Sequence, residues 1–243
     1  MVNMLLQYSP LLLTHLESKN WDKGQFEKLV AKINSFFPEF GDYRIMIFST
    51  HDDTGIFNSA IATMFPLDYP NSRVSEYEDL SSACKLKGDL HFAIYLRSDL
   101  FELDEIAQAI NISHEFQHIS QYINDKQAYF FGCIIRFLLV DKIPELKTPV
   151  EYDAERKSKI IAYELYGSQK IDEWIELWAR KRKHDFFDVL KNIDVGASYN
   201  FSREVLSLWE ENRIKEKIDK LKSVEKRTED EETIFEMFDY ANI

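Results

Sequence analysis

The stretch Asp104-Glu105-Ile106-Ala107-Gln108-Ala109-Ile110-Asn111-Ile112-Ser113-His114-Glu115-Phe116-Gln117-His118-Ile119-Ser120-Gln121-Tyr122-Ile123-Asn124 has no proline or glycine, and its apolar residues recur at helical intervals. The spacing predicts one long helix over about 104–124. From Leu103 to residue 223 the same period dominates, with further helices expected at about 127–140, 149–167, 170–182, 184–192 and 201–223. Upstream the pattern is mixed. Gly24 to Phe37 has helical spacing at Phe26, Leu29, Val30, Ile33 and Phe36-Phe37, with Pro38 as a stop. Tyr43–Ser49, Ser59–Phe65 and His91–Arg97 are rich in β-formers and read as strands of a small sheet. Met1–Leu16, interrupted by Gln7, Ser9, Pro10, Thr14 and His15, reads as an amphipathic helix. The fold class expected is therefore α+β and mostly helical, with a small N-terminal sheet and a helical C-terminal part.

No Gly/Ser/Pro-rich linker and no internal repeat divides the chain, so 1–224 reads as one domain, with an α/β sublobe at about 1–124 and a helical sublobe at about 125–224. Residues 225–243 read as a charged, flexible tail: Glu229-Asp230-Glu231-Glu232 is an acidic block. The apolar Ile234–Phe238 after it is expected to dock in a cleft of this chain or of a neighbour.

The formal charge of −12 argues against a general nucleic-acid binder, because phosphate recognition needs a concentrated basic surface. The one basic run, Arg180-Lys181-Arg182-Lys183, reads as a solvated helix end favoured by the helix dipole. Cys84 and Cys133 lack the paired spacing of a thiolate zinc site or a disulfide scaffold, and are expected to be free and reduced. No basic segment precedes the N-terminal leucines, and no apolar run reaches the roughly 20 residues that span a bilayer. A soluble, cytoplasmic protein is the expectation.

Within the long helix, His114-Glu115-x-x-His118 carries the chemistry. Histidines at i and i+4 project from one face, so both imidazoles can reach a single metal at about 2.0–2.1 Å, with the glutamate between them turned to the same side as a base for water. A catalytic zinc needs a third protein ligand and an open position. Pro149-Val150-Glu151-Tyr152-Asp153-Ala154-Glu155 is the best source of one: the proline suits a helix start, and the carboxylates suit its first turn.

His114-Glu115-x-x-His118 followed about 33 positions later by Glu151-x-x-Ala154-Glu155 resembles the gluzincins, a class of zinc metallopeptidases. ImmA/IrrE-type regulators and the membrane CAAX-processing zinc proteases share that layout. The resemblance covers about 104–167 and implies a zincin-like fold. It implies that Glu151 is the third zinc ligand, that Ala154 leaves room for close helix packing, and that Glu155 orients a ligand histidine. The family usually has Asp where Glu155 stands, and Glu151 and Glu155 share a helical face at i and i+4, so the two can exchange roles. Zincins also place an edge strand ahead of the active helix to pair with an extended peptide, which His91–Arg97 would be here, while an ordinary core strand is an equal reading of the same residues.

The chemistry expected is zinc-dependent hydrolysis of a protein or peptide, with Glu115 taking a proton from water and delivering it to the departing amine. The rival expectation is a regulatory protein that keeps this scaffold and acts through protein–protein contacts. Tyr152, Arg156, Tyr163, Tyr166 and His184 are available to stabilise an oxyanion, and none is singled out. His51-Asp52-Asp53 reads as a loop turn, and Ser113 and Ser120 lack the strand-turn context of a nucleophile.

Overall fold

Ser9 and Pro10 decide where the first helix begins. Proline is favoured at the first helical position and costly inside a helix, and the Ser9 hydroxyl accepts a hydrogen bond from the Leu12 amide at 3.2 Å. In the computed structural model, which describes residues 6–19, 21–49, 61–69, 90–181, 185–223 and 227–242, helix α1 is therefore Pro10–Ser18. The single helix expected over Met1–Leu16 is corrected: Leu6–Tyr8 ahead of the proline is a short strand, β1. Helix α2 (Lys23–Asn34) is capped by Asp22 and ends before Pro38.

The chain is α+β and mostly helical, with a four-stranded sheet among the described residues. Strands β2 (Ile45–Phe48), β3 (Ala62–Pro66) and β4 (Phe92–Leu96) complete it in the order β1-β2-β4-β3. The β1-β2 and β2-β4 pairs are parallel and β4-β3 is antiparallel. Of the edge and core readings open for His91–Arg97, the core one holds among the described residues: β4 is interior, and β3 is the outer strand. The physical reason lies in burial on both faces. Every residue of Ile45–Phe48 and Phe92–Leu96 is buried, as the uninterrupted apolar runs require, whereas β3 ends in a proline that an interior strand excludes.

Two compact units make up the chain, Met1–Ser120 with Glu164–Tyr166, and Gln121–Tyr163 with Gly167–Ile243. In the first, Met46, Phe48, Phe65, Ala93 and Tyr95 cluster on one face of the sheet, and the pleat turns Ile45, Ile47, Phe92, Ile94 and Leu96 to the other. Phe26 meets Tyr8 and Phe101 edge-on. Helix α3 (Glu105–Asn124) begins at Asp104, whose carboxylate accepts from the Ala107 amide at 2.9 Å.

The second unit contains helices α4 (Lys126–Leu138), α5 (Pro149–Tyr166), α6 (Ser168–Lys181), α7 (Asp185–Asn192), α8 (Phe201–Glu211), α9 (Ile214–Lys222) and α10 (Glu229–Ala241). The 201–223 stretch is two helices, because Arg213 takes a left-handed conformation at φ 51° and breaks the run. Phe131 stacks on Trp209 at 3.8 Å in a core that also holds Ile134, Ile135, Val205, Ile214 and Ile218. The buried Lys159 ammonium donates to the Leu190 and Ile193 carbonyls at 2.7 and 3.0 Å, satisfying the end of α7.

Residues 229–241, expected within a flexible tail, form α10. Its acidic block is the first helical turn, where carboxylates suit the positive pole, and Thr228 and Glu231 form a capping box. Ile234 and Phe235 are buried in the core with α4, α8 and α9. Arg180 and Lys181 close α6 as exposed residues, whereas Arg182 and Lys183 lie outside the described residues. No helix of the described residues is long and apolar enough to cross a membrane.

Candidate metal centre

Helical periodicity alone turns His114 and His118 to one side of α3, and their Nε2 atoms approach to 2.9 Å. The rings meet edge to face, 4.6 Å between centroids. One ligand atom from each of His114, His118 and Glu151 lies within 4.8 Å of the other two. Glu151 stands in the first turn of α5 after Pro149, and Gln121, three residues beyond His118, ties the same turn to α3. The Gln121 amide donates to the Val150 carbonyl at 2.9 Å and to the Asp153 carboxylate at 3.0 Å, and all three residues belong to the second unit.

Two nitrogens and a carboxylate oxygen are the donor set of a catalytic zinc site that keeps its fourth position open. A tetrahedral zinc holds two such nitrogens about 3.3 Å apart, so the imidazoles need to part by only a few tenths of an ångström. Both nitrogens would have to present lone pairs, which requires neutral imidazoles protonated at Nδ1. The residues fit the ion.

Compared with protein-family models, curated proteins and solved structures, the chain has no match.

Glu115 follows the first histidine and is 6% exposed. Of the two carboxylates left open as third ligand, Glu151 is the one grouped with the histidines; Glu155, one turn later in α5, is 2% exposed and is not part of that group. Ala154 is fully buried.

Two residues at this site carry no motif. Arg136 Nη1 donates to Glu151 Oε1 at 2.5 Å and lies 3.4 Å from Glu145 Oε1. Burial of the guanidinium favours loss of its charge, but Glu151, with Cys133 and Glu145, more than offsets this and its pKa is raised. Gly132, one turn earlier on α4, lets that helix approach α5: a Cβ there would stand 3.1 Å from Val150 Cβ. The available signal was an arginine inside the otherwise apolar run Tyr129–Val140, four residues after a glycine.

The proposed oxyanion stabilisers are mostly engaged elsewhere. Tyr163 donates to Asp172 at 2.5 Å, Tyr166 to Glu105 at 2.9 Å, and Arg156 to the Val195 and Ala197 carbonyls at 3.1 and 2.6 Å. The Tyr152 ring tilts against Tyr199 at 5.2 Å. His184, His51, Asp52, Asp53 and Cys84 lie outside the described residues. His91 Nδ1 accepts from the Arg44 amide at 3.1 Å, and the Ser120 hydroxyl donates to Glu39. Ser113 is fully buried with no hydrogen-bond partner for its hydroxyl among the described residues, so it lacks a base.

Burial pushes the Cys133 thiol up to about 11, with Arg136 and Tyr129 opposing and Glu151 adding to the rise. At pH 8 about one thiol in a thousand would then be ionised, against roughly a quarter for an ordinary cysteine. In a Cys84→Ser variant, iodoacetamide is expected to modify the folded chain at least about a hundredfold more slowly than the urea-unfolded chain. Equal rates in the two states would show Cys133 to be an ordinary exposed thiol.

Proposed function

We propose that the protein is a zinc-dependent metallopeptidase in which His114, His118 and Glu151 hold the metal and Glu115 is the general base. The observation that carries this reading is the meeting of a carboxylate from α5 with two histidine nitrogens from α3, beside a buried glutamate on the same helix. Zinc, when bound, polarises a peptide carbonyl and makes water acidic enough to ionise near neutral pH.

The chain's own groups do the rest. Neutral imidazoles at His114 and His118 supply nitrogen donors, and Glu151 supplies the negative charge. Glu115 takes the proton of the attacking water and returns it to the departing amine, so one carboxylate acts first as base and then as acid. Glu155, buried one turn beyond Glu151, is proposed to orient a ligand histidine, which keeps that ring in the tautomer the metal needs. A protein or peptide is the substrate class that this arrangement fits.

Metal analysis tests the assignment. Purified chain is expected to carry one zinc, and His118→Ala to retain less than about a tenth of it under the same chelator challenge, since a ligand and not a neighbouring group is removed. Substoichiometric zinc in wild type after zinc reconstitution would sink the proposal.

A further inference from the structure

Helix α4 is apolar from Ala128 to Ile135, yet one arginine follows in it beside the first turn of α5. Arg136 reaches the Glu151 carboxylate at 2.5 Å, and the Glu151 side chain is 8% exposed. Gly132 on the preceding turn removes the side chain that would hold the helices apart at Val150. Glu145, the second carboxylate near Arg136, stands 3.4 Å away and is 60% exposed. The close, buried partner is thus the proposed metal ligand.

Building on the zinc reading above, we propose that Arg136 is a positioning residue that holds Glu151 in the orientation at which its carboxylate meets His114 and His118. A carboxylate has two oxygens and about four lone-pair sites, so a guanidinium on Oε1 leaves acceptor capacity for a cation. An unrestrained glutamate would lose rotamer freedom when it ligates a metal; one already fixed by a planar, permanently charged guanidinium has lost it on folding. The same bond meets the charge of a buried carboxylate that would otherwise be costly. Affinity for the metal therefore depends on a residue that does not touch it.

The test is zinc affinity of the full chain, measured by chelator competition, in wild type, Arg136→Gln, Arg136→Lys, Glu151→Gln and the double variant Arg136→Gln/Glu151→Gln, with folding checked by circular dichroism. Arg136→Gln is expected to weaken zinc binding by about 10- to 100-fold. In the Glu151→Gln background the same change is expected to alter affinity by no more than about twofold, because the group through which Arg136 acts is gone. A purely structural ion pair would lower the melting temperature of the metal-free chain and leave zinc affinity as in wild type, and that result overturns the proposal. So does an equal loss from Arg136→Gln in both backgrounds. Should Arg136→Gln fail to fold, Arg136→Lys, which keeps the charge but not the planar fork, is expected to lose at least about threefold, and wild-type affinity in it overturns the proposal. Wild type that binds no zinc sinks the metallopeptidase reading itself, whereas normal wild-type binding with unaltered Arg136 variants sinks only this inference.

Discussion

Glu115→Gln is expected to keep one zinc per chain and to lose peptide hydrolysis by about 10²- to 10⁴-fold. Glutamine matches the size of glutamate, so the packing around a side chain that is 6% exposed is preserved. It removes the one property the mechanism needs, a carboxylate that accepts a proton from water and gives it to the amine. Glu115 is absent from the group of metal-ligand atoms, so the metal content should hold. Zinc content and the rate of cleavage of a fluorogenic peptide library, measured on the same preparations, provide the check. Retained hydrolysis would remove Glu115 from its role. If wild type also cleaves nothing, and a binding activity survives the substitution, the regulatory scaffold reading replaces the peptidase.

Phe116→Ala should produce the largest loss of stability, about 3–5 kcal/mol. Phe116 sits between the two motif histidines in sequence but two residues from each, about 200° around the helix, and therefore on the opposite side. Its ring is fully buried and packs on Phe37 at 5.7 Å and Phe40 at 5.5 Å. Phe37 and Phe40 stack on each other at 5.0 Å, so the alanine would leave a cavity against a pair that cannot easily collapse into it. Urea unfolding followed by circular dichroism measures the loss. A change below about 1 kcal/mol would mean that the site is rebuilt by repacking and that Phe116 does not anchor α3.

The same helix explains why so much of the site was legible. Period and spacing are local properties: a breaker-free run with Asp104 at its cap gives α3, and the i, i+4 interval turns His114 and His118 to one face whatever surrounds them. Pro149 similarly announces the start of α5 and puts Glu151 in its first turn. Position within the sheet was less readable. Phe92–Leu96 is recognisable as a strand, but edge and core places were equally open, and burial on both faces, in keeping with its unbroken apolar run, decides for the interior. In the acidic block, charge alone does not distinguish a solvated tail from a helical first turn. Thr228 three residues before Glu231 does, and the burial of Ile234 and Phe235 against α4 completes the helix.

His114, Glu115 and His118 were thus determined as a constellation by the sequence itself, because 3.6 residues per turn bring neighbours four apart together without help. Which carboxylate is grouped with the histidines is a property of the tertiary structure. Glu151 and Glu155 share one face of α5, and the period that places them there cannot rank them. Within the second unit, Gln121 bonds to Val150 and Asp153 in the first turn of α5, the turn that carries Glu151. The pairing of Arg136 with Glu151 needs that same packing, since the two residues stand on different helices and only the close approach at Gly132 brings them to 2.5 Å.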